Sequence, residues 1–128
     1  MTPRDDIFQR CIDLAHTSPH RTRVGCILLK KGSVVFETTN IYKSHPYQKR
    51  LHQKAGRDRP SNLHAELRAL VLCRSDFDTL LVARVDKKGN VKMAMPCPTC
   101  SLAINERSDI KSVWFTNEYG QWENLDVL

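Results

Sequence analysis

Apolar residues recur along this chain with two periods. Between Pro3 and His16, Ile7, Cys11, Leu14 and Ala15 return at helical spacing, with Phe8 and Ile12 widening the stripe. Thr2 stands where a cap is expected, Pro3 at the first helical position, and Asp5 and Asp6 where they complement the positive helix end. Ser18-Pro19 stops the helix. Arg23–Leu29 and Ser33–Thr39 change to strand formers: Val24, Cys26-Ile27-Leu28-Leu29, then Val34-Val35-Phe36. Between them Lys30-Lys31-Gly32-Ser33 is a turn in which Gly takes the awkward dihedral, so the pair predicts a β-hairpin. Helical spacing resumes after Ser61 or Asn62, either one a cap, and runs to Cys73 through Leu63, Leu67, Leu70 and Val71. Thr79–Val85 predicts a strand, Asp86–Asn90 a turn and Val91–Met95 a returning segment. A third helix opens at Cys97–Cys100, with Pro98 at its first position and Leu102, Ala103 and Ile104 facing inward, and ends near Arg107-Ser108-Asp109. Ile110–Thr116 is a strand, Asn117–Gly120 a turn and Gln121–Asn124 a short final strand. That last pair is expected to be antiparallel, because a parallel pair needs a crossover of a dozen or more residues.

One segment has no clean period. Ile41 to Ser61 contains Pro46, Gly56, Pro60, the rings of Tyr42, His45 and Tyr47, and six basic side chains (Lys43, Lys49, Arg50, Lys54, Arg57, Arg59) against Asp58 alone. A loop of this length inside a compact domain is usually functional or disordered. Its charge dominates the formal net charge of +6 and favours an anionic partner, a phosphate or a nucleic-acid backbone. Asn40, just before it, reads equally as a turn residue and as a polar group placed to bond a sugar hydroxyl.

Length and composition narrow the classes. A chain of 128 residues, spanning 1–128, is one domain with one core. At 41% hydrophobic and 27% charged residues it has the composition of a soluble globular protein. No apolar run approaches membrane-spanning length and residues 1–6 lack a signal-peptide core, so the expectation is a cytoplasmic protein without a membrane partner. Of five cysteines, Cys11, Cys26 and Cys73 fall in apolar periodic stretches and are expected to be buried free thiols, which suits a reducing compartment. Trp114, Phe115 and Trp122 read as packing residues.

Candidate chemistry sits in His64-Ala65-Glu66 and Pro96-Cys97-Pro98-Thr99-Cys100. One nitrogen and two thiolates suit Zn²⁺ and leave one of its tetrahedral positions open. Zinc lowers the pKa of water from about 16 towards 7 and so makes hydroxide accessible at neutral pH. Glu66, two residues from His64, is placed to take a proton from that water and pass it to a substrate nitrogen. Either motif alone has plainer readings: His-x-Glu arises by chance, and Cys-x-x-Cys serves redox pairs and structural zinc sites. His45 and His52 are further candidate metal ligands or plain loop histidines.

Together and in this order, H-x-E and P-C-x-x-C match the signature of the zinc nucleobase deaminases. The order helix–strand–strand–helix–strand–helix–strand also resembles the cytidine deaminase superfamily, most closely the deoxycytidylate and phage-type enzymes around His64-Ala65-Glu66-Leu67-Arg68-Ala69-Leu70. The resemblance implies an α/β fold of three layers, α/β/α, with a mixed central sheet of four to five strands. It implies zinc on His64, Cys97 and Cys100, Glu66 as the catalytic proton shuttle, and hydrolytic conversion of cytosine to uracil in a nucleotide or nucleoside. Within that frame Asn40 is expected to hold the sugar, the backbone N–H at Ala65 or at Cys97 the base carbonyl, and His45, Lys43, Lys49 or Arg50 the phosphate. Tyr42 stands where tetrameric cytidine deaminases carry Glu, which turns the expectation from a nucleoside to a dCMP-like nucleotide. Two other readings stay open: a cytosine or adenine deaminase editing single-stranded DNA or RNA, and a zinc-stabilised nucleic-acid-binding module without activity. A homo-oligomer is expected from resemblance alone.

Overall fold

The computed structural model describes residues 2–41, 64–96, 98–106 and 110–126. In chain order these form helix α1 (Asp5–His16), strands β1 (Arg23–Lys30) and β2 (Ser33–Thr39), helix α2 (Ala65–Leu72), strands β3 (Thr79–Val85) and β4 (Val91–Lys92), helix α3 (Pro98–Asn105), and strands β5 (Ser112–Thr116) and β6 (Trp122–Asp126). The sheet runs β2-β1-β3-β5-β6, with β4 beside β3. Among the described residues only β3 and β5 are parallel, and α3 lies on the crossover between them. The mixed α/β sheet flanked by helices is the expected architecture, and β4 brings the strands to six. No helix among the described residues is long and apolar enough to cross a membrane.

Strand periodicity sorts the core into two halves. In β1 and β3, Cys26, Leu28, Leu80 and Val82 face one way, while Ile27, Leu29, Leu81 and Ala83 face the other. The second set meets Ile7 and Cys11 of α1. The first meets Leu67 and Leu70 of α2 and Ala103 and Ile104 of α3. Being covered on both faces explains why these two strands read as unbroken apolar runs. Beside the α1 layer, Phe8 stacks on Trp122 at 4.6 Å and meets Trp114 edge-on at 5.5 Å, so both tryptophans pack as expected.

One glycine sets how closely α1 lies on the sheet. A Cβ on Gly25 would sit 2.8 Å from the Ala15 nitrogen and 2.9 Å from the Cys11 carbonyl oxygen. Backbone meets backbone there, and only glycine leaves room. The β1–β2 turn places both Lys31 (φ 51°) and Gly32 (φ 83°) in the left-handed region, the two-residue form that matches strand twist.

Several boundaries differ from the sequence expectation. Helix α1 begins at Asp5 after Arg4, whose carbonyl accepts from the Ile7 and Phe8 N–H groups, so Thr2 is not its cap. Helix α2 begins after His64, in extended backbone at the cap position, which displaces both Ser61 and Asn62 from that role. Val71 is 36% exposed and leaves the buried stripe. The β4 ladder stops at Lys92, because the Ala94 N–H turns to the Thr116 carbonyl instead. Helix α3 closes at Asn105. Cys73 is only half-buried and its thiol donates to the Ser75 carbonyl, whereas Cys11 and Cys26 are buried as expected. The apolar position Leu63 lies outside the described residues.

The two edges of β3 are used differently. β1 covers one edge from Thr79 to Val85. The other is divided, β5 pairing Thr79–Val82 and β4 pairing Arg84 and Val85. The buried Thr116 hydroxyl bridges the division, donating to the Lys92 carbonyl at 2.8 Å and accepting from the Arg84 N–H at 3.4 Å. At the far end of the sheet Asp78 ties three strands. Its backbone N–H donates to the Leu29 carbonyl, its carbonyl accepts from Lys111, and its carboxylate accepts from the Lys31 N–H at 3.1 Å.

Burial alone would raise the pKa of Asp78. The Lys31 N–H, the Thr79 hydroxyl, Lys30 and Lys111 outweigh it and hold the carboxyl below its ordinary 3.8. A depressed carboxylate stabilises the fold above its unfolded pKa, and that contribution is lost as pH falls through the folded value. Asp78→Asn is therefore expected to cost about 1–2 kcal/mol in urea unfolding at pH 7, as for a charge-assisted hydrogen bond. The difference from the native protein should narrow below about pH 4, where the carboxyl of the unfolded chain begins to protonate, and close as pH falls through the lowered folded value. A constant difference at every pH would show that the charge of Asp78 is immaterial.

Candidate active site

The parallel strands β3 and β5 place their carboxyl ends where β4 diverges, and open α/β sheets bind ligands at such ends. A cavity of about 290 Å³ opens there. Its wall includes Val82 and Arg84 from β3, Thr22 and Val24 from the start of β1, Asn40 after β2, and His64, Ala65 and Glu66 from the start of α2. Met93 and Met95, 39% and 55% exposed, complete one side after β4. The volume is near the lower end for small-molecule sites, enough for a single small ligand.

The cap position of His64 decides what the first turn of α2 presents. Residues that precede regular helix leave their side chains and the first N–H groups directed beyond the helix end. Ala65, Glu66 and Leu67 are then buried as the helix meets the sheet. Glu66 is only 6% exposed, yet it lines the cavity, so its carboxylate is held in largely dehydrated surroundings. Cys100, in the first turn of α3, is fully buried, and its Sγ lies 3.2 Å from His64 Nδ1. Two ligands of one tetrahedral zinc stand about 3.6 Å apart, from Zn–N and Zn–S bonds near 2.1 and 2.3 Å. The observed approach of an imidazole nitrogen and a thiol therefore fits a shared metal of that kind. Among the described residues no group of three ligating side chains gathers, since Cys97 lies outside them.

The remaining cysteines of the core do not compete. Burial pushes the thiols of Cys11 and Cys26 up, and the negative field of Glu66 adds to both. They stay neutral and serve as packing, the expected fate of buried thiols.

Asn40 is 6% exposed and extensively bonded. Its Oδ1 accepts from the Ser18 hydroxyl and the Val24 N–H, and its Nδ2 donates to the Thr22 carbonyl. The side chain thus fastens the segment after α1 to the end of the β-hairpin, a structural duty the sequence reading omitted. One amide hydrogen remains for the cavity among the described residues.

Of the site residues expected from sequence, His64, Ala65, Glu66 and Asn40 share one cavity, with Cys100 against His64. Cys97, Lys43, His45, Lys49 and Arg50 lie outside the described residues. Arg84, Thr22, His20, Met93 and Met95 were missed. Arg84 had a readable signal: a charged residue in a strand otherwise apolar on both faces. The others carry no comparable pattern, because a tertiary turn and a divided ladder bring them to the site.

The model for the cytidine and deoxycytidylate deaminase zinc-binding region matches residues 1–117. Two solved structures of the dCMP deaminase from the cyanophage S-TIM5 are similar to the chain. The form in complex with dCMP and dUMP is 26% identical, with a TM-score of 0.57 over 92% of this chain and 86% of that one. The apo form is 25% identical, with a TM-score of 0.57 over 90% and 86%. No curated protein sequence matches the chain.

Proposed function

The chain belongs to the cytidine and deoxycytidylate deaminase family, and from that premise we propose that it deaminates cytosine hydrolytically in a free nucleotide of the dCMP kind. The observation that carries the reading is one cavity lined by His64, Glu66 and Asn40, with Cys100 in contact with His64. The likeness to a deaminase crystallised with dCMP and dUMP supports the choice of substrate class. His64, Cys97 and Cys100 would hold Zn²⁺, whose chemistry is to lower the pKa of water at the site.

The chain's own residues do the rest. Glu66 takes the proton of the attacking water while its oxygen bonds to C4 of the base, and delivers that proton to N3. The regenerated carboxylate then takes the proton of the new C4 hydroxyl and passes it to the exocyclic amine; the C4–N bond breaks as the C4 carbonyl forms, and ammonia leaves with uracil as the other product. Burial of Glu66 sharpens each transfer, because the charge moves in low dielectric. The backbone N–H of Ala65, at the open end of α2, is a donor for the base carbonyl. The remaining amide hydrogen of Asn40 is a donor to the sugar, and its three internal bonds fix its direction. Such an activity belongs to cytoplasmic nucleotide metabolism.

Ammonia release from zinc-loaded protein tests this across cytidine, deoxycytidine, CMP, dCMP, dCTP, adenosine, guanine and single-stranded DNA. The expected result is turnover of a cytosine mononucleotide. Turnover of the polymer alone, with affinity falling steeply with salt, would replace the mononucleotide by a strand. No turnover at full zinc occupancy would favour a binding module.

A further inference from the structure

Strand β3 is sealed almost throughout: Leu80, Leu81, Val82, Ala83 and Val85 are each at most 1% exposed. Arg84 interrupts this. It is exposed, and the two-residue repeat of the strand sets it on the same face as Val82, one step further towards solvent. It lines the same cavity as His64 and Glu66, and it is the only lysine or arginine among the described residues that do so.

Two other cations among the described residues are already engaged. Lys92 stands directly opposite Arg84 across the β3–β4 ladder, and its Nζ lies 3.8 Å from Asp86 Oδ2. Arg68 donates to the Thr39 carbonyl. No ion pair among the described residues involves Arg84. Like charges directly opposed on a ladder repel, and Asp86 offsets only one of the two. The cavity therefore carries one guanidinium without an ion pair among the described residues, together with a buried carboxylate and an imidazole. A ligand suited to all three has a polar neutral ring and an anionic group. A guanidinium suits phosphate in particular, because its planar fork donates two parallel hydrogen bonds.

We propose that Arg84 binds the 5′-phosphate of the cytosine nucleotide and sets the preference for nucleotide over nucleoside. The proposal rests on the nucleotide-deaminase reading above and moves the phosphate contact from the basic segment 41–60 to β3. Arg84 is exposed, and among the described residues its side chain donates no hydrogen bond and makes no ion pair, so its replacement should leave the fold intact.

The test compares kcat/KM for dCMP and deoxycytidine in the native chain, Arg84→Ala, Arg84→Lys and Lys92→Ala, all zinc-loaded. Calorimetric binding of dUMP and deoxyuridine to the same proteins gives a readout independent of turnover. Arg84→Ala should lower the dCMP-to-deoxycytidine ratio of kcat/KM about 100-fold, mainly through KM, with a parallel loss of dUMP affinity. Arg84→Lys should recover part of the ratio, and Lys92→Ala should change it less than about 3-fold. If the native chain prefers dCMP and Arg84→Ala keeps that preference, the assignment to Arg84 is wrong and the nucleotide reading stands. Equal losses on both substrates, with an altered melting temperature, would make Arg84 structural and also overturn the assignment. A native chain that turns over neither compound, or does not distinguish them, overturns the nucleotide reading itself.

Discussion

Glu66→Gln abolishes turnover while leaving the protein folded and able to hold zinc: this is the outcome expected from the site. The amide is nearly isosteric, so packing against the sheet is kept where Glu66 is 6% exposed. Replacement removes the group that must twice accept a proton and twice release it. General acid–base catalysis by one residue is worth about 10²–10⁴-fold, and Glu66 acts in more than one transfer, so a loss of at least about 10³-fold in kcat is expected. Zinc stoichiometry by atomic absorption should be unchanged, since a carboxylate beside the ligands is not among them. The melting temperature should stay the same or rise, because a buried charge has been replaced by a neutral amide. Residual activity within tenfold of the native chain would remove Glu66 from the mechanism, and with it the reason for placing catalysis at this cavity.

The second large effect concerns the fold. Gly25→Ala puts a methyl group less than 3 Å from two backbone atoms of α1. Neither atom belongs to a flexible side chain, so the helix must move off the sheet or tilt. That opens the layer formed by Ile7, Cys11, Ile27, Leu29, Leu81 and Ala83. Forced overpacking costs about 1–3 kcal/mol and occasionally more; the upper part of that range is expected here. For a domain of this size, about 3 kcal/mol corresponds to roughly 10 °C in Tm. Thermal unfolding followed by circular dichroism measures it, and an unchanged Tm would contradict the close approach of α1 to β1. Activity lost on heating should track the unfolding, since Val24 and Thr22, next along β1, line the cavity.

What the sequence revealed and what it withheld divide along physical lines. The interiors of β2 and β3 were readable because both depend on local pattern, and the observed spans Ser33–Thr39 and Thr79–Val85 match the expected ones. Helix ends were less readable. Arg4 and His64 hold cap positions without any side-chain cap bond, so the usual Ser, Thr, Asp and Asn signals pointed elsewhere. Gly25 was legible in principle: an isolated glycine inside a strand marks a close approach. The pair His64 and Cys100, thirty-six residues apart, could be joined only through the motif's chemistry, and the 3.2 Å approach now joins them in space. Asn40 shows the opposite case. Its internal bonds to Ser18, Thr22 and Val24 depend on two distant segments meeting, which no local pattern announces. The basic segment drew attention by its length, its rings and its charge, whereas the signal of Arg84 was a single charge within an apolar run.

The turn between β3 and β4 has a consequence for how such a protein can change over generations. Asp86 closes it internally, accepting from the Lys88 and Asn90 N–H groups at 2.8 and 2.9 Å, with its own N–H donating to the Asn90 carbonyl. These bonds draw on nothing in the helical layers. Residues 86–90 can therefore be lengthened, shortened or exchanged as a cassette between the paired ends of β3 and β4. The buried run Leu80–Ala83 of β3 has no such freedom, since its side chains answer to α1 or to the face beneath α2 and α3. Selection can thus revise this turn by insertion and deletion while the strand that leads into it stays under the constraint of a packed core.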